Sequence, residues 1–482
     1  MSNLEGTPNT IERTLPVPRL VRLCLSFAVV FALGLVGSFP GSISATASGD
    51  GSGDRAVAHH AGGKVIKDRS VTSKAPDGRI YQVGKDAIEP TMGFTKAGEM
   101  VYTAFESNTS IFVMRSADGG HTWDDKSPKL PSGQAAHRLS VDPYIWVDEW
   151  TGRIFNIDLT VACSYMSYVD DLETDWTTNP LACGRPVNDH QSLFGGPPVS
   201  STPIGYDNLV YYCWNDVATS SCSKSIDGGL TFHPTGTPAF YPADDAGDDP
   251  VRDCGGLHGH GVVGEDGTVF LPKEHCEQPW VSISRDEGLT WEHVKVADDT
   301  AVWGPDPSVA VDAKGNVYYV YLDEMRMPHL AVSRDNGKTW GKPMMIAAPG
   351  LTETVHATLD VGKPGSVAIA YYGTDDVKGK IDKRTYPIDK VAWDGFITMS
   401  DNVFDKDPIF YSGTVNDPKD PLTRGDCGPR RCQDAVDFID VVISPDGIPF
   451  AAFADSCTLP CEGAKTQYAG VVGSLVRGPK LQ

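Results

Sequence analysis

The sequence predicts an all-β chain that folds as a single β-propeller of seven four-stranded blades, with six blades as the alternative count. Three observations support this fold class: a recurring octapeptide, a recurring pair of β-rich strands, and an abundance of turn formers. Gly (50) and Pro (35) together supply 85 of the 482 residues, which is typical of short elements joined by tight turns. No convincing amphipathic helix appears in the sequence.

The octapeptide has the form Ser-x-Asp-x-Gly-x-Thr-aromatic and occurs at 116–123, 225–232, 284–291 and 333–340, with a degenerate copy ending at Trp176. Its aromatic positions are spaced by 53, 56, 59 and 49 residues, which indicates a repeat array. We expect the Asp to accept backbone N–H bonds, the Gly to adopt a positive φ, and the aromatic ring to pack between sheets. The residues interpreted as structural are therefore Asp118, Trp123, Asp227, Phe232, Asp286, Trp291, Asp335 and Trp340.

A second repeat of two β-rich strands joined by a Gly turn lies between the octapeptides, as in DPSVAVDAKGNVYYVYL from Asp306. Its seven copies begin at Glu89, Asp142, Thr202, His258, Asp306, His356 and Asp437. Four-stranded units at this spacing are typical of a β-propeller. Because the last unit is short, we expect a strand from the segment near residues 64–83 to complete it.

The N-terminal segment predicts export. An apolar run at 23–37 follows basic residues, and Ala45-Thr46-Ala47 fits a cleavage site. Residues 1–47 are therefore interpreted as a secretory signal peptide, with an uncleaved anchor as the alternative. Residues 48–78 are expected to be a flexible lead-in and 79–478 the propeller.

Cysteine usage agrees with an oxidising compartment. Ten of the eleven Cys follow the signal segment, and an even number in an exported chain predicts five disulfides. A zinc site is the alternative, although no C-x-x-C is present. Nearest-neighbour pairing predicts Cys163–Cys183, Cys213–Cys222, Cys254–Cys276, Cys427–Cys432 and Cys457–Cys461.

In a propeller, the starts of the units and the turns between their second and third strands share one face, which we call the upper face. The octapeptides lie on the opposite, lower face. The strand starts carry the ionisable residues Glu89, Asp142, His258, Asp306, His356 and Asp437, and the facing turns carry Glu106, Asp158, Asp216, Glu274, Asp323 and Asp455. Paired carboxylates suit glycoside hydrolysis. The alternative for each acid is a solvated loop position.

The third and fourth units are the richest in such residues. Asp189 and His190 lie on the connection into the third unit, while His258 and His260 are flanked by glycines at the start of the fourth. Glu274 is expected above the same unit. The sequence therefore predicts a catalytic group of Glu274, Asp189, His190, His258 and His260. Histidines satisfied by backbone groups are the alternative.

An acid-rich loop precedes the fourth unit. Oxygen ligands in one flexible loop suit Ca²⁺, which is the single cofactor that the sequence suggests, and a solvated acidic loop is the alternative. The candidate ligands are Asp244, Asp245, Asp248 and Asp249.

These motifs resemble the Asp-box, or BNR-repeat, proteins of the sialidase superfamily over roughly residues 80–475. The resemblance implies a propeller fold and a glycan or glycoconjugate as partner. The Arg-Ile-Pro motif of sialidases is missing, because the aligned tripeptide is Ile88-Glu89-Pro90. An acidic sugar needs an Arg clamp, so the resemblance does not extend to sialic acid cleavage itself.

Three functions are compatible with this pattern. The first is a secreted glycoside hydrolase, in which Glu274 and Asp189 act as acid and base and the histidines orient the substrate. The second is a non-catalytic glycan- or protein-binding propeller. The third is a polysaccharide lyase, in which a His takes a C5 proton and Tyr211 or Tyr371 assists. Substrate-contacting residues are predicted to be Trp214, Trp280, Trp303, Tyr371, Glu89 and Asp306.

The charge balance excludes one class of partner. The net charge is −22 at pH 7, and such a surface repels phosphate backbones, so no nucleic acid is expected to bind. We expect a secreted, extracellular monomer without a stable membrane anchor.

Overall fold

Regular structure in this protein consists of β-strands within the part of the chain that the structure describes. The computed structural model describes residues 51–52, 56–66, 77–106, 110–129, 132–134, 141–160, 163–181, 188–216, 219–240, 257–299, 306–375, 391–423, 437–456 and 469–482. All of them belong to one compact unit, Ala47–Gln482. The signal segment predicted at 1–47 lies outside the described residues.

In the described part of the chain, thirty-one strands form seven antiparallel sheets. Four strands precede the first blade: β1 (Gly51–Ser52), β2 (Val57–His60), β3 (Lys64–Val65) and β4 (Gly78–Asp86). Blade one contains β5 (Ile88–Phe94), β6 (Met100–Phe105), β7 (Ile111–Ser116) and β8 (Asp124–Asp125). Blade two contains β9 (Val141–Val147), β10 (Ile154–Thr160), β11 (Cys163–Val169) and β12 (Thr177–Pro180). Blade three contains β13 (Asp189–Gly196), β14 (Leu209–Asn215), β15 (Ser220–Ser225) and β16 (His233–Pro234). Blades four and five contain β17 (Val262–Val263), β18 (Val269–His275), β19 (Gln278–Ser284), β20 (Glu292–Lys295); β21 (Ser308–Val311), β22 (Val317–Leu322), β23 (Pro328–Ser333), β24 (Met344–Met345). Blades six and seven contain β25 (Glu353–Val361), β26 (Val367–Thr374), β27 (Asp394–Ser400), β28 (Phe410–Thr414); β29 (Asp440–Ile443), β30 (Pro449–Asp455), β31 (Ala469–Leu475).

The seven-bladed β-propeller predicted from the repeats is confirmed. The second strand of each blade is buried on both faces, because neighbouring blades cover both sides of it. Tyr, Val and Leu side chains from adjacent blades form the core between sheets, as where Tyr318 of blade five and Tyr371 of blade six belong to one cluster. Burial of such large side chains supplies about 1.5–3 kcal/mol each.

The N-terminal strands complete the last two blades. Strand β4 pairs antiparallel with β31, so blade seven takes its outer strand from the N-terminal segment, as predicted. Strands β2 and β3 extend blade six beyond β28, so part of the segment 48–78 that was expected to be a flexible lead-in is β-structure. The ring is therefore closed by hydrogen bonds between the two ends of the described chain.

The third blade begins earlier than the repeat indicated. Its innermost strand is β13, which starts at Asp189, whereas Thr202 lies in the loop before β14. That loop is anchored by Glu287, whose carboxylate accepts the backbone N–H groups of Val199 and Ser200 at 2.9 and 2.6 Å. The long loop displaced the apparent start of the unit, so His190 is the residue equivalent to the strand starts of the other blades.

The four octapeptides form identical turns between the third and fourth strands of their blades. In the first copy, Thr122 donates its backbone N–H and its hydroxyl to Asp118 at 2.8 and 2.6 Å, and Gly120 donates its N–H to the Ser116 hydroxyl at 2.9 Å. The other three copies repeat these bonds. Gly120 has a φ of 98°. The expected Asp, Gly and aromatic roles are confirmed, with the aromatic ring packed on a core cluster in each copy.

One predicted disulfide can be followed completely. Cys213 and Cys222 face each other across β14 and β15 and are bonded, which confirms that pair. Cys276 is also disulfide-bonded, and Cys254, its predicted partner, lies outside the described residues. The other predicted pairs involve positions that are not described, namely the Cys163 side chain, Cys183, Cys427, Cys432, Cys457 and Cys461.

The described residues contain no helix that is both long and apolar enough to cross a membrane.

Candidate functional site

Each blade places one ionisable residue at the upper-face start of its innermost strand. The seven equivalent residues, in blade order, are Glu89, Asp142, His190, His258, Asp306, His356 and Asp437. We call them the upper ring. Six of the seven were predicted as strand starts from the sequence, and the structure adds His190, which the sequence had assigned to a connection.

Four members of the upper ring have a left-handed backbone. Glu89, Asp142, His190 and His356 have φ values of 54°, 51°, 45° and 56°. At each of them the pairing of the innermost strand with its neighbour is interrupted by a register shift. Such conformations are costly for residues with a Cβ and cluster at functional sites. A bulge at the same position re-aims the side chain in each of these blades.

Four members of the upper ring, His190, Asp306, His356 and Asp437, line a small cavity of about 20 Å³ that opens to solvent. Blades three to seven form its wall, to which His260, Phe438 and the backbone next to them also contribute. Ligand sites are typically concave and carry a few convergent polar groups. This cavity is therefore the candidate functional site.

His190 and Asp306 form a buried ion pair across blades three and five. The His190 Nε2 atom lies 2.5 Å from Asp306 Oδ2, and its Nδ1 atom lies 2.9 Å from the carbonyl oxygen of His258. Because a carbonyl oxygen can only accept, Nδ1 carries a proton. Burial opposes the charge on His190, but attraction and hydrogen bonding by Asp306, with Asp142 and Asp189 nearby, outweigh it and raise its pKa to about 9. His190 is therefore an imidazolium at neutral pH.

The two histidines of blade four are held neutral. Burial, with the charges of His190 and Lys273 nearby, lowers the pKa of His258 to about 3, even though Nδ1 donates to the Gly259 carbonyl at 2.9 Å. Burial and the neighbouring His190 and His258 also lower the pKa of His260 well below its usual value. The site thus combines one charged imidazole with two neutral ones.

A group of carboxyls lies on the opposite side of the ring. Glu89 accepts the backbone N–H of Asp142 at 3.0 Å through Oε2. Burial, followed by the charges of Asp142 and Asp437, raises the pKa of Glu89 well above its usual value. Since like charges at close range cannot all ionise, this group disfavours the charged form of Glu89. Of these three carboxyl groups, Asp437 lines the cavity.

Aromatic rings pack against the histidines of the cavity. Tyr144 packs on His260 with ring centroids 4.0 Å apart, and Phe438 contacts His260 at 5.6 Å and His190 at 5.2 Å. Tyr144, His260 and Phe438 come from blades two, four and seven. His260 and Phe438 line the cavity, and neither Tyr144 nor Phe438 was singled out from the sequence. The sequence offered one indication of them. Tyr144 lies two residues after Asp142, and Phe438 lies one residue after Asp437, so each closely follows the upper-ring residue of its blade.

The other predicted catalytic carboxyls lie beside the cavity. Glu274 ends β18 and is buried, and burial is the main reason that its pKa is raised well above its usual value, with Glu277 and Asp306 adding repulsion. Asp189 begins β13 next to His190. Neither residue lines the cavity. The structure thus brings His190, His260 and Asp306 together at the cavity and places Glu274 and Asp189 behind them.

Most of the predicted stacking aromatics are core residues. Trp214 is 2% exposed and stacks on Tyr212 at 5.3 Å. Tyr371 is fully buried, and its hydroxyl accepts the Ala348 N–H at 2.8 Å, and Tyr211 is equally buried. Trp280 packs beside His275, away from the cavity. These residues point between blades because both faces of their strands are covered. Trp303 lies outside the described residues.

The predicted calcium ligands Asp244, Asp245, Asp248 and Asp249 also lie outside the described residues. Among the residues that are described, no group of three His, Cys, Asp or Glu side chains is placed to hold a metal ion.

Comparison with known proteins finds likeness in structure alone. No known protein family matches the sequence, and no protein with a curated description does. A crystal structure of a protein of unknown function from Dyadobacter fermentans is similar at 16% identity and a TM-score of 0.42, covering 83% of this chain and 100% of the other. A mutant of NanB sialidase from Streptococcus pneumoniae is similar at 12% identity and a TM-score of 0.42, covering 86% and 73%. The intramolecular trans-sialidase from Ruminococcus gnavus, in complex with oseltamivir carboxylate, is similar at 13% identity and a TM-score of 0.38, covering 83% and 98%. Matches at these levels carry no argument about activity.

Proposed function

We propose that the protein is a secreted glycoside hydrolase whose reaction takes place in the upper cavity. The observation that carries the proposal is the upper ring, in which carboxyl groups lie in different electrostatic environments at and beside one cavity. The pKa of the buried Glu89 is raised well above its usual value, while Asp306 lines the cavity and is paired with an imidazolium. Glycoside hydrolysis requires one carboxylic acid and one carboxylate on either side of the scissile bond.

The roles follow from these environments. Asp306 is the carboxyl group that acts as base or nucleophile, because it lines the cavity and pairs with the His190 imidazolium. The acid is supplied from the group of Glu89, Asp142 and Asp437, of which Asp437 lines the cavity. Glu274 is a second buried acid near Asp306 and remains the alternative donor.

The groups at the mouth of the cavity suit a sugar in their chemistry. Phe438 and His260 offer aromatic rings to the apolar face of a pyranose ring. The ring of acids and imidazoles offers acceptors and donors to its hydroxyl groups. The partner is therefore proposed to be a glycan or glycoconjugate.

Export and superfamily membership are part of the same proposal. The signal-like segment at 1–47 and the Cys213–Cys222 disulfide support an extracellular location. The four identical octapeptide turns support membership of the Asp-box group of sialidase-like propellers. We also propose a monomer without a membrane anchor.

A second candidate, a polysaccharide lyase, is favoured by one observation. His260 is neutral, lines the cavity and packs on Tyr144 at 4.0 Å. In a lyase, a neutral imidazole would take the C5 proton of a uronate while the C4–O bond breaks and a C4=C5 double bond forms, and a phenol would protonate the leaving oxygen. Tyr144 is proposed for this role because it contacts His260, whereas Tyr211 and Tyr371 are in the core.

The test is an assay of the purified mature chain on neutral, amino and acidic oligosaccharides, with products followed by reducing ends and by ultraviolet absorbance. Hydrolysis gives reducing ends without an unsaturated chromophore, whereas elimination gives both. We expect hydrolysis, and we expect Asp306→Asn and Glu89→Gln to lower kcat by about 10²–10⁴-fold. Asp335→Asn on the lower face is the matched control and should keep full activity. Saturable binding without any product would instead show a binding propeller.

A further inference from the structure

The two oxygens of the Asp306 carboxylate differ in their contacts. Oδ2 is bound by His190 Nε2 at 2.5 Å, while Oδ1 is buried and has no hydrogen-bond partner among the described residues. The Asp306 side chain is 10% exposed and lines the cavity. A buried carboxylate oxygen without a donor costs free energy, so Oδ1 is set up to receive a donor from a bound molecule.

His190 cannot supply that donor or offer one to a ligand. Its Nδ1–H is given to the His258 carbonyl and its Nε2–H to Asp306. The His190–Asp306 ion pair therefore presents the free acceptor Asp306 Oδ1 to the cavity, which the His190 ring also lines.

Close packing of two blades holds the couple in place. A Cβ added to Gly259 would lie 1.8 Å from the Pro307 carbonyl oxygen. Glycine thus allows blade four to approach the chain that follows Asp306, which brings the His258 carbonyl and the Asp306 carboxylate to opposite sides of one imidazole.

The surroundings reinforce the sign of the charge. His190 is faced by Asp142 from blade two, by His258 and His260 from blade four and by Phe438 from blade seven, with Asp189 on its own strand and Lys273 behind His258. Among the described lining residues there are two carboxyl groups, Asp306 and Asp437, and no Lys or Arg. The described wall therefore offers an anion no Lys or Arg partner, and the His190 imidazolium is already paired with Asp306.

We propose that the His190–Asp306 couple is a specificity device, which fixes Asp306 Oδ1 as an anionic acceptor for a sugar hydroxyl and selects uncharged sugars over uronates and other acidic sugars. The identity of the ligand as a sugar rests on the proposed function. The couple itself, and the preference for hydroxyl donors over anions, rest on the geometry alone.

The first experiment measures the protonation of His190 in the full mature chain. Selective ¹⁵N-histidine labelling and NMR report the protonation of each ring nitrogen. We expect one imidazole, missing from the spectrum of His190→Gln, to stay doubly protonated at pH 7.5. We expect Asp306→Asn to lower the pKa of that imidazole to below 7. A neutral His190 ring at pH 7.5 overturns the proposal, whatever the chain cleaves.

The second experiment measures ligand preference by calorimetry with methyl β-glucoside and methyl β-galactoside against the matched methyl uronides. We expect the neutral glycosides to bind at least about tenfold more tightly than the uronides, and Asp306→Asn to weaken their binding by about ten- to a hundredfold. Asp323→Asn is the matched control, because Asp323 also pairs with a histidine, His329, at 3.1 Å on the same blade but does not line the cavity.

The outcomes separate this inference from the proposed function. Equal or tighter binding of the uronides, or no binding of either neutral glycoside, overturns the inference. Preferential binding of neutral glycosides that depends on Asp306 supports it even if no product forms, in which case the hydrolase assignment alone is wrong.

Discussion

Gly259 shows how one missing side chain shapes the candidate site. Its Cα lies so close to the next blade that a Cβ would overlap the Pro307 carbonyl oxygen at 1.8 Å, and its own carbonyl accepts the Nδ1–H of His258. Gly259 therefore allows the two blades to pack closely, and its carbonyl oxygen holds a proton on Nδ1 of His258, a member of the upper ring.

We expect Gly259→Ala to lower the free energy of unfolding by about 1–3 kcal/mol, because the backbone of blade five must move to relieve the overlap. Urea unfolding followed by fluorescence measures this change. Gly341→Ala is the matched control, since its added Cβ would have its nearest contact at 3.3 Å. Equal stability of the two variants would show that the blades are not in contact at Gly259.

Two half-buried aspartates link neighbouring blades. Asp360 accepts the N–H of Ile443 at 2.7 Å, and Asp440 accepts the N–H of Met92 at 3.0 Å. Burial raises the pKa of Asp360 to about 6, against the lowering effect of these bonds. Burial, helped by the charge of Asp360, raises the pKa of Asp440 to about 7.

Raised carboxyl pKa values make the native state bind protons more tightly than the unfolded chain. The stabilisation by Asp440 is therefore complete below its unfolded pKa of about 4 and is lost as the pH rises through about 7. We expect the stability of the wild type relative to Asp440→Asn to fall between pH of about 5 and 8. Urea titrations at several pH values measure this difference, with the exposed Asp446→Asn as control. A difference that is constant or grows with pH would contradict the assignment.

The octapeptide turn is an element that stabilises itself. In the fourth copy, Asp335 accepts the N–H and the hydroxyl of Thr339 at 2.8 and 2.6 Å and the Ser333 hydroxyl at 2.8 Å. The hydroxyl of Thr339, followed by its N–H, lowers the pKa of Asp335 to about 2. Because every partner lies within four residues, the turn forms wherever the motif occurs.

We expect Asp335→Ala to lower the free energy of unfolding by about 1 kcal/mol, since the loss of an Asp that binds turn N–H groups resembles the loss of a helix cap. Ligand binding in the upper cavity should not change, because the turn lies on the lower face. Thermal unfolding and calorimetry on the same sample measure both effects. Loss of binding at unchanged stability would place function on the lower face.

Closure of the ring is a property of the whole molecule. Strand β4 supplies the outer strand of blade seven, and Asp77 at its start accepts the Ala56 N–H at 2.7 Å and pairs with Arg477 Nε at 2.9 Å. Gly78 permits this approach, because a Cβ there would lie 1.9 Å from the Thr414 carbonyl oxygen. The N-terminal segment, blade six and blade seven thus meet at one point.

We expect Asp77→Ala to lower the free energy of unfolding by about 2 kcal/mol, because it leaves a buried N–H without its charged acceptor. Asp124→Ala is the matched control: Asp124 also pairs with an arginine, Arg115 at 2.8 Å, but is 62% exposed, so its loss should cost less than about 1 kcal/mol. Chemical unfolding measures both variants. Similar small effects would indicate that closure does not depend on this contact.

The local part of this architecture was predictable from the sequence. The octapeptide turns, the blade count and the closing strand follow from residues a few positions apart and from their regular spacing. The upper ring was predictable for six of seven blades for the same reason. His190 was predicted as a site residue, but its place in the ring was missed, because the octapeptide of the second blade is degenerate and the loop before β14 is long, so the regular spacing was lost there.

The sequence by itself thus determined the repeats, the turns and the side of the propeller on which ionisable residues collect, because each depends on local backbone chemistry. Only the tertiary structure decided which aromatic residues are core and what charge each ring member carries. Strands β14 and β26 are buried throughout, so no alternation of polar and apolar residues could show where Trp214 and Tyr371 point. The charge on His190 depends on an aspartate two blades away, and such a contact exists only once the ring has closed.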